Sequence, residues 1–535
     1  MKQSEQSLQT LCNQVVQGSL SRRAFMTRAT ALGVSALAAQ QMLTDTAAAQ
    51  TPNIGGLLRL GTSGASTTDT LDPGLLTDAM TQLTSQGLLR NTLLGNDEHS
   101  QLVPELAESW DTSADAATWT FQLHRGVEFH NGKSLEAEDV IESLNRHRGE
   151  SSDSAAKSLL EQVDEMRADG KDKVVIVLKD GNADFGFTLS DYHFTIQPAD
   201  TTDFEQGTGT GPYILDSWEP GVRMECRRNA NYFREGKPHF DEVHVIGIND
   251  VTARTNALQT GEIDFMNQCE LKTVHLLERN SKLQVFQTNG TRHYTIPMHV
   301  DVAPFDDVDV RQALKYGIDR QAVLDTILQG YGSVGNDHPI ASSVPFHAAD
   351  LPQREYDPDK ARFHLKKAGL ERLTVDLSTS DAAFAGAVDT AVLYQEQASK
   401  ANIDINVVRE PSDGYWDNVW LVKPWCFCFW SGRPTVDWMF TQAYADPANT
   451  PWNDTRWNNP RFNQLLVAAR KELDESKRAE MYFEMQMLCR DDGGVVVPLF
   501  ASDVQAAHAD LRHGPVIGAD WELDGMKLAE RWWWA

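Results

Sequence analysis

An α/β fold follows from three observations along this chain of 535 residues. Short runs rich in β-branched and aromatic residues alternate with segments whose apolar residues recur at helical spacing. Several helical segments carry their own start and stop residues. No low-complexity linker or short internal repeat interrupts the alternation, and the length suffices for two or three lobes, each with its own core.

Taken in order, residues 1–49 read as a twin-arginine export signal. Ser21-Arg22-Arg23-Ala24-Phe25-Met26 precedes the short apolar stretch ATALGVSALAA, and Ala47-Ala48-Ala49 stand where a signal peptidase cuts. The apolar stretch is too short to span a bilayer. Cleavage near Ala49-Gln50 would leave a chain free in the periplasm, with no cysteine at its start to carry a lipid. Strand-like runs follow at 57–60, 118–123, 174–178, 223–227, 243–248, 291–299 and 403–408. Helices are expected at 137–148, 310–329, 358–368, 387–401, 461–473 and 475–490. Asp357-Pro358 places proline in a first helical turn, Gly369 closes that helix, and Asp309 is the expected cap of the helix from 310. Arg311, Lys315 and Arg320 read as that helix's solvated face.

The formal net charge of −28 argues against nucleic acid or anionic lipid as partners. Cys12 departs with the leader, leaving Cys226, Cys269, Cys426, Cys428 and Cys489, an odd number without disulfide-scaffold spacing. Cys426-Phe427-Cys428 lacks the CxxC spacing of zinc and redox sites. Strand alternation would turn both sulfurs to one face, as packing residues. Trp110, Trp119, Phe121 and Phe129 read as the core of a small lobe.

PELAESWDTSADAATWTFQLHRGVEFHNGKSLEAEDVIESLNR (104–146) resembles the extracytoplasmic solute-binding proteins of family 5, the dipeptide, oligopeptide and nickel uptake type. GTGPYILDSWEPG (209–221), RRNANYF (227–233), LQTGEIDF (258–265), DVRQALKYGIDRQAVLDTILQGYG (309–332) and YDPDKARFHLKKAGL (356–370) follow in the family's order. The resemblance implies a two-lobed periplasmic-binding-protein fold of type II, in its large form with an extra inserted subdomain. Lobe I would take 50–90, 181–290 and 495–535, the insertion 91–180, and lobe II 291–494. A hinge would join the lobes, with chain crossings near 291–299 and 495–500, and a solute would be enclosed between them.

Dipeptide-binding relatives carry a Trp-x-Gly-Asp segment whose aspartate meets the ligand's ammonium. Here the matching residues are Trp430, Ser431, Gly432 and Arg433, so a base replaces the acid. Asp381 falls where those relatives carry an arginine for the peptide carboxylate. Arg433 therefore fits a carboxylate or phosphate, or else braces its loop against Asp437 or Asp381. Further ligand-binding candidates are Tyr192, His193, Arg292, Tyr294 and Trp416, with the loop 62–73. Strand alternation would turn His293 away from Arg292 and Tyr294. Trp416 and Trp438 read either as stacking platforms or as core.

The resemblance implies a monomeric receptor that captures a small polar solute, peptide-like or anionic, and delivers it to an inner-membrane ABC permease without a cofactor. A nickel or other metal chelate is the alternative, on His193 and His293, although no ligand-spaced cluster or metal site is evident. A secreted hydrolase is the distant alternative. G-x-S-x-G and H-E-x-x-H are absent, and no catalytic residue is assigned.

Overall fold

The computed structural model describes Phe25, Met26, Arg28 and Ala29, and residues 52–535 other than 77, 412–414, 449 and 451. The export signal expected over 1–49 lies outside the described residues, those four apart.

A nine-stranded mixed sheet organises the molecule. Leu57–Thr62 runs parallel to Glu242–Gly247 on one side and to Phe265–Met266 on the other. Arg223–Arg228 and Tyr213–Glu219 extend the first side as antiparallel strands. On the second side come Val495–His508, Leu283–Pro297 and finally the short strand Cys428–Trp430. The two long strands pair from Leu283↔His508 to Pro297↔Val495, with register breaks between Asn289 and His293 and between Tyr294 and Ile296. At about 3.3 Å per residue such strands reach about 50 Å, longer than one core needs. The end of this ladder at Leu283 and His508 packs into apolar clusters containing Leu60, Val245, Phe265, Met266 and Val504. The end at Pro297 and Val495 packs into clusters containing Ile296, Leu314, Trp425, Val497 and Phe440. The breaks lie where the ladder passes from one set of cores to the other.

A four-stranded antiparallel sheet, in the order Ala107–Thr112, Thr118–Leu123, Lys173–Leu178 and Val163–Ala168, has its own core. Trp119, Phe121 and Phe129 are buried there, Trp110 packs against them, and Trp119 stacks on Phe121 at 6.0 Å. Leu373–Thr379 pairs in parallel with Ile403–Arg409, the helix Ala387–Ser399 crossing between them.

Helix 358–367 forms as its punctuation dictates: Pro358 is at the first position, Asp357 accepts from Lys360 N, and Gly369 takes φ 78° beyond the end. The single helix expected over 310–329 is instead two, Val308–Tyr316 and Arg320–Ile327, capped by Asp307 and Asp319. Asp309 is not the cap, because its carboxylate turns to His364 and Lys367 on the neighbouring helix. Nor is the basic stripe solvated. Arg311 donates to Phe305 O and Asp492 O, and Arg320 pairs with Asp337 at 2.6 Å. Buried Lys315 donates to the carbonyls of Cys489, Arg490 and Gly493 at 2.8–3.2 Å, closing the end of helix Glu475–Asp491. A cation there satisfies orphan carbonyls and the helix dipole together.

All five cysteines among the described residues are free and buried. The strand begins only at Cys428, so Cys426 and Cys428 enter different apolar clusters instead of sharing one face of a strand. Burial pushes both thiols far above their ordinary range, which leaves them inert packing groups.

Candidate functional site

The passage of the two long strands between cores leaves a cavity of about 400 Å³. Thr291, Arg292 and Asp503 face it from the strands, Ser63, Gly64 and Asp78 from the chain after the first strand. Residues 519–522 and the turn Phe429, Ser431, Gly432 also line it. Gly432 is required by close approach. A Cβ there would stand 2.0 Å from Thr291 Cβ and 2.4 Å from its carbonyl oxygen. The turn thus lies against the crossing strand with no room for a side chain.

The cavity is electrostatically one-sided. Arg292 Nη2 donates to Glu522 Oε1 at 2.5 Å. Glu522 also accepts from Gln268 Nε2 at 2.6 Å and Asn267 Nδ2 at 2.7 Å. Burial would raise this carboxyl, but Arg292 and the amide donors hold it below its usual range. Arg292 thus gives its hydrogen bond to Glu522. Asp503 Oδ1 lies 3.5 Å from Arg292 Nη1 and accepts no hydrogen bond among the described residues. Burial pushes Asp503 up to about 6, Arg292 opposing and Glu522 adding. Burial likewise lifts Asp78 and Asp520 to about 6, although Asp78 accepts from the amides of Met80 and Thr81, and Asp520 from Ser100 Oγ. Three acids with raised carboxyls thus share a small space with one arginine, whose hydrogen bond goes to Glu522 and which Asp503 meets only at 3.5 Å.

Of the sequence-derived candidates, Arg292 and Gly432 line this cavity. The loop from 62 contributes Ser63 and Gly64. Tyr192 stands behind it, its ring edge-on to cavity-lining Trp521 at 5.9 Å. His193 is buried, Nδ1 lying 2.6 Å from Asp191 Oδ1 and Nε2 3.3 Å from Leu76 O. Tyr294 does not line it; its ring stacks on Phe384 at 3.7 Å, and its hydroxyl feels Arg292 and Asp503. His293 is fully buried beside Phe500, and burial lowers its imidazole to about 4. Asp381 is exposed and accepts from Gly386 N and Val388 N at the start of helix Ala387–Ser399, a capping position.

Arg433, Trp430 and Trp416 line an adjoining pocket of about 220 Å³. Arg433 pairs with neither Asp437 nor Asp381, since Asp437 is held by Arg470. Its Nε donates to Gln442 Oε1 at 2.7 Å, its Nη1 to Ser431 O at 2.5 Å, and its guanidinium lies 5.7 Å from the Trp438 ring. Trp438 itself is buried. Burial lowers the Arg433 guanidinium from its ordinary value, against Tyr192 and Asp191.

Sequence reasoning missed Asp78, Asp503, Asp520 and Glu522. No motif surrounds them; strand pairings such as Thr288↔Asp503 bring Asp503 to Arg292, and the other three come from outside that ladder. Among the described residues no three His, Cys, Asp or Glu side chains converge as metal ligands, and no helix is long and apolar enough to cross a membrane.

Solved relatives share the fold. Helicobacter pylori DppA, an ABC transporter-associated periplasmic binding protein in complex with the peptide STSA, matches with TM-score 0.75 at 21% identity, covering 90% of this chain and 98% of its own. Campylobacter jejuni NikZ, in complex with Ni(L-His), matches with TM-score 0.74 at 20% identity, covering 89% and 99%. In sequence, the glutathione-binding protein GsiB of Pectobacterium atrosepticum is 27% identical over 436 residues, 79% of this chain and 84% of its own. Residues 101–472 match the bacterial extracellular solute-binding proteins, family 5, middle region. The chain belongs to that family of bacterial extracellular solute-binding proteins.

Proposed function

We propose that this protein, exported through the twin-arginine route to the periplasm, acts as a monomeric, non-catalytic receptor for a peptide-like solute. The solute's ammonium group is held by Asp503, and the loaded receptor is read by an inner-membrane ABC permease. One observation carries the reading: Asp503 Oδ1 is buried beside the cavity without a hydrogen-bond donor, 3.5 Å from an Arg292 whose own hydrogen bond goes to Glu522. A buried carboxylate without a donor is costly, and an ammonium group supplies both the charge and the donors.

Lobe I would comprise 50–90, 181–290 and 495–535, lobe II 291–494 and the insertion 91–180. The solute would act by stabilising the arrangement in which the lobes meet. Contacts between those two lobes support this. Asp184 pairs with Arg478 at 2.6 Å with both side chains nearly buried, and Ala183 N donates to Arg470 O at 2.7 Å.

The test is calorimetric titration with glutathione, Ala-Ala and the N-acetylated form of each. Free-amine forms should bind at least tenfold tighter than acetylated ones, and Asp503→Asn should abolish that difference. Equal affinity for free and acetylated forms refutes the ammonium reading.

A further inference from the structure

The pocket beside the cleft is walled by tryptophans in an unusually regular arrangement. The rings of Trp420, Trp430 and Trp452 stand 6.0–6.1 Å apart pairwise, with planes turned by 62–72°. Trp416 joins through Trp420, at 5.9 Å and 81°. Asp454, only 4% exposed, accepts from both Trp420 Nε1 and Trp430 Nε1 at 3.2 Å. That carboxylate draws the polar edges of two indoles into the protein, so the carbon faces and edges are left to the pocket. Trp416 and Trp452 remain 38% and 43% exposed, although burying such rings is strongly favourable.

Phe429 and Ser431 line both this pocket and the cleft cavity, so the two adjoin. The space of about 220 Å³ admits one ring system. Indoles set edge-to-face leave the same geometry open to a further ring, a preference that an aliphatic chain lacks. Among the described residues no carboxylate is hydrogen-bonded to Arg433 on the wall, which disfavours a cationic group there.

We infer that this tryptophan pocket receives an uncharged aromatic side group of the solute, as a subsite adjoining the cleft cavity. The inference rests on the receptor reading above but not on which group of the solute Asp503 holds.

The experiment uses full-length mature protein labelled with 5-fluorotryptophan, with the Trp416 and Trp452 fluorine resonances assigned by Trp416→Phe and Trp452→Phe. Three probes are titrated: p-cresol, which has only the ring, butylamine, which has only the ammonium, and tyramine, which has both. p-Cresol and tyramine should move both resonances saturably while butylamine leaves them in place. Tyramine should bind at least fivefold more weakly to Trp452→Ala, a substitution at an exposed ring. Unmoved resonances with both aromatic probes, or unchanged tyramine affinity in Trp452→Ala, overturn the inference. Saturable shifts with tetramethylammonium but not p-cresol overturn it in favour of a cation cage. Asp503→Asn separates the two readings. If it leaves butylamine and tyramine binding unchanged, the ammonium assignment fails while the p-cresol shifts still report on the aromatic pocket.

Discussion

Replacing Asp503 by asparagine keeps the side chain's shape and removes a charge that the unliganded protein holds at a cost. Its carboxyl moves from an ordinary 3.8 to about 6, a shift of roughly two units. At 1.36 kcal/mol per unit this is about 3 kcal/mol, undiscounted because the residue is only 8% exposed. The sign follows from proton uptake: between pH 4 and 6 the folded state holds a proton that the unfolded state has released. Stability is therefore fully present below about pH 4 and is lost as pH rises through 6. Asparagine has no such loss. Unfolding entropy of about 2.1 cal/mol/K per residue gives a chain of this length about 1 kcal/mol/K, so the gain corresponds to about 3 °C. Melting of solute-free protein, wild type and Asp503→Asn, should therefore diverge by about 3 °C in the variant's favour between pH 4 and pH 7.5. A variant that melts lower at pH 7.5 refutes the reasoning. Arg292 would then need Asp503 as a counter-ion, and the site would have no surplus charge to offer a solute.

Other consequences are open to measurement. Arg478→Met strands Asp184 in a nearly buried position, where breaking such a pair costs about 3–5 kcal/mol. Small-angle scattering of the solute-free variant should show a larger radius of gyration, and solute affinity should fall at least tenfold. An unchanged radius and affinity would show that the contact does not hold the lobes together. Gly432→Ala places a Cβ inside Thr291 and should displace the turn, weakening solute binding at least tenfold in calorimetry. Wild-type affinity in that variant would mean that the turn does not shape the cavity.

What the sequence determined by itself is local. Asp357, Pro358 and Gly369 set the ends of one helix because capping chemistry acts within a few residues. The run around Trp119 and Phe121 declares a buried sheet by alternation alone. Arg292 and Gly432 were instead reached through the family resemblance, one at the implied chain crossing and the other in the Trp-x-Gly segment. Local logic failed for Lys315, since an amphipathic pattern marks a polar face but cannot know that the carbonyls of Cys489, Arg490 and Gly493 will cover it. The resemblance failed likewise for Asp381, whose alignment position says nothing of the backbone amides it caps. Only the tertiary structure decided the character of the cavity. Asp503 and Glu522 reach Arg292 from the far end of the chain, through a long-strand ladder and the segment that follows it. Electrostatic character depends on distance in space and on burial, neither of which is encoded in the residues nearest along the chain.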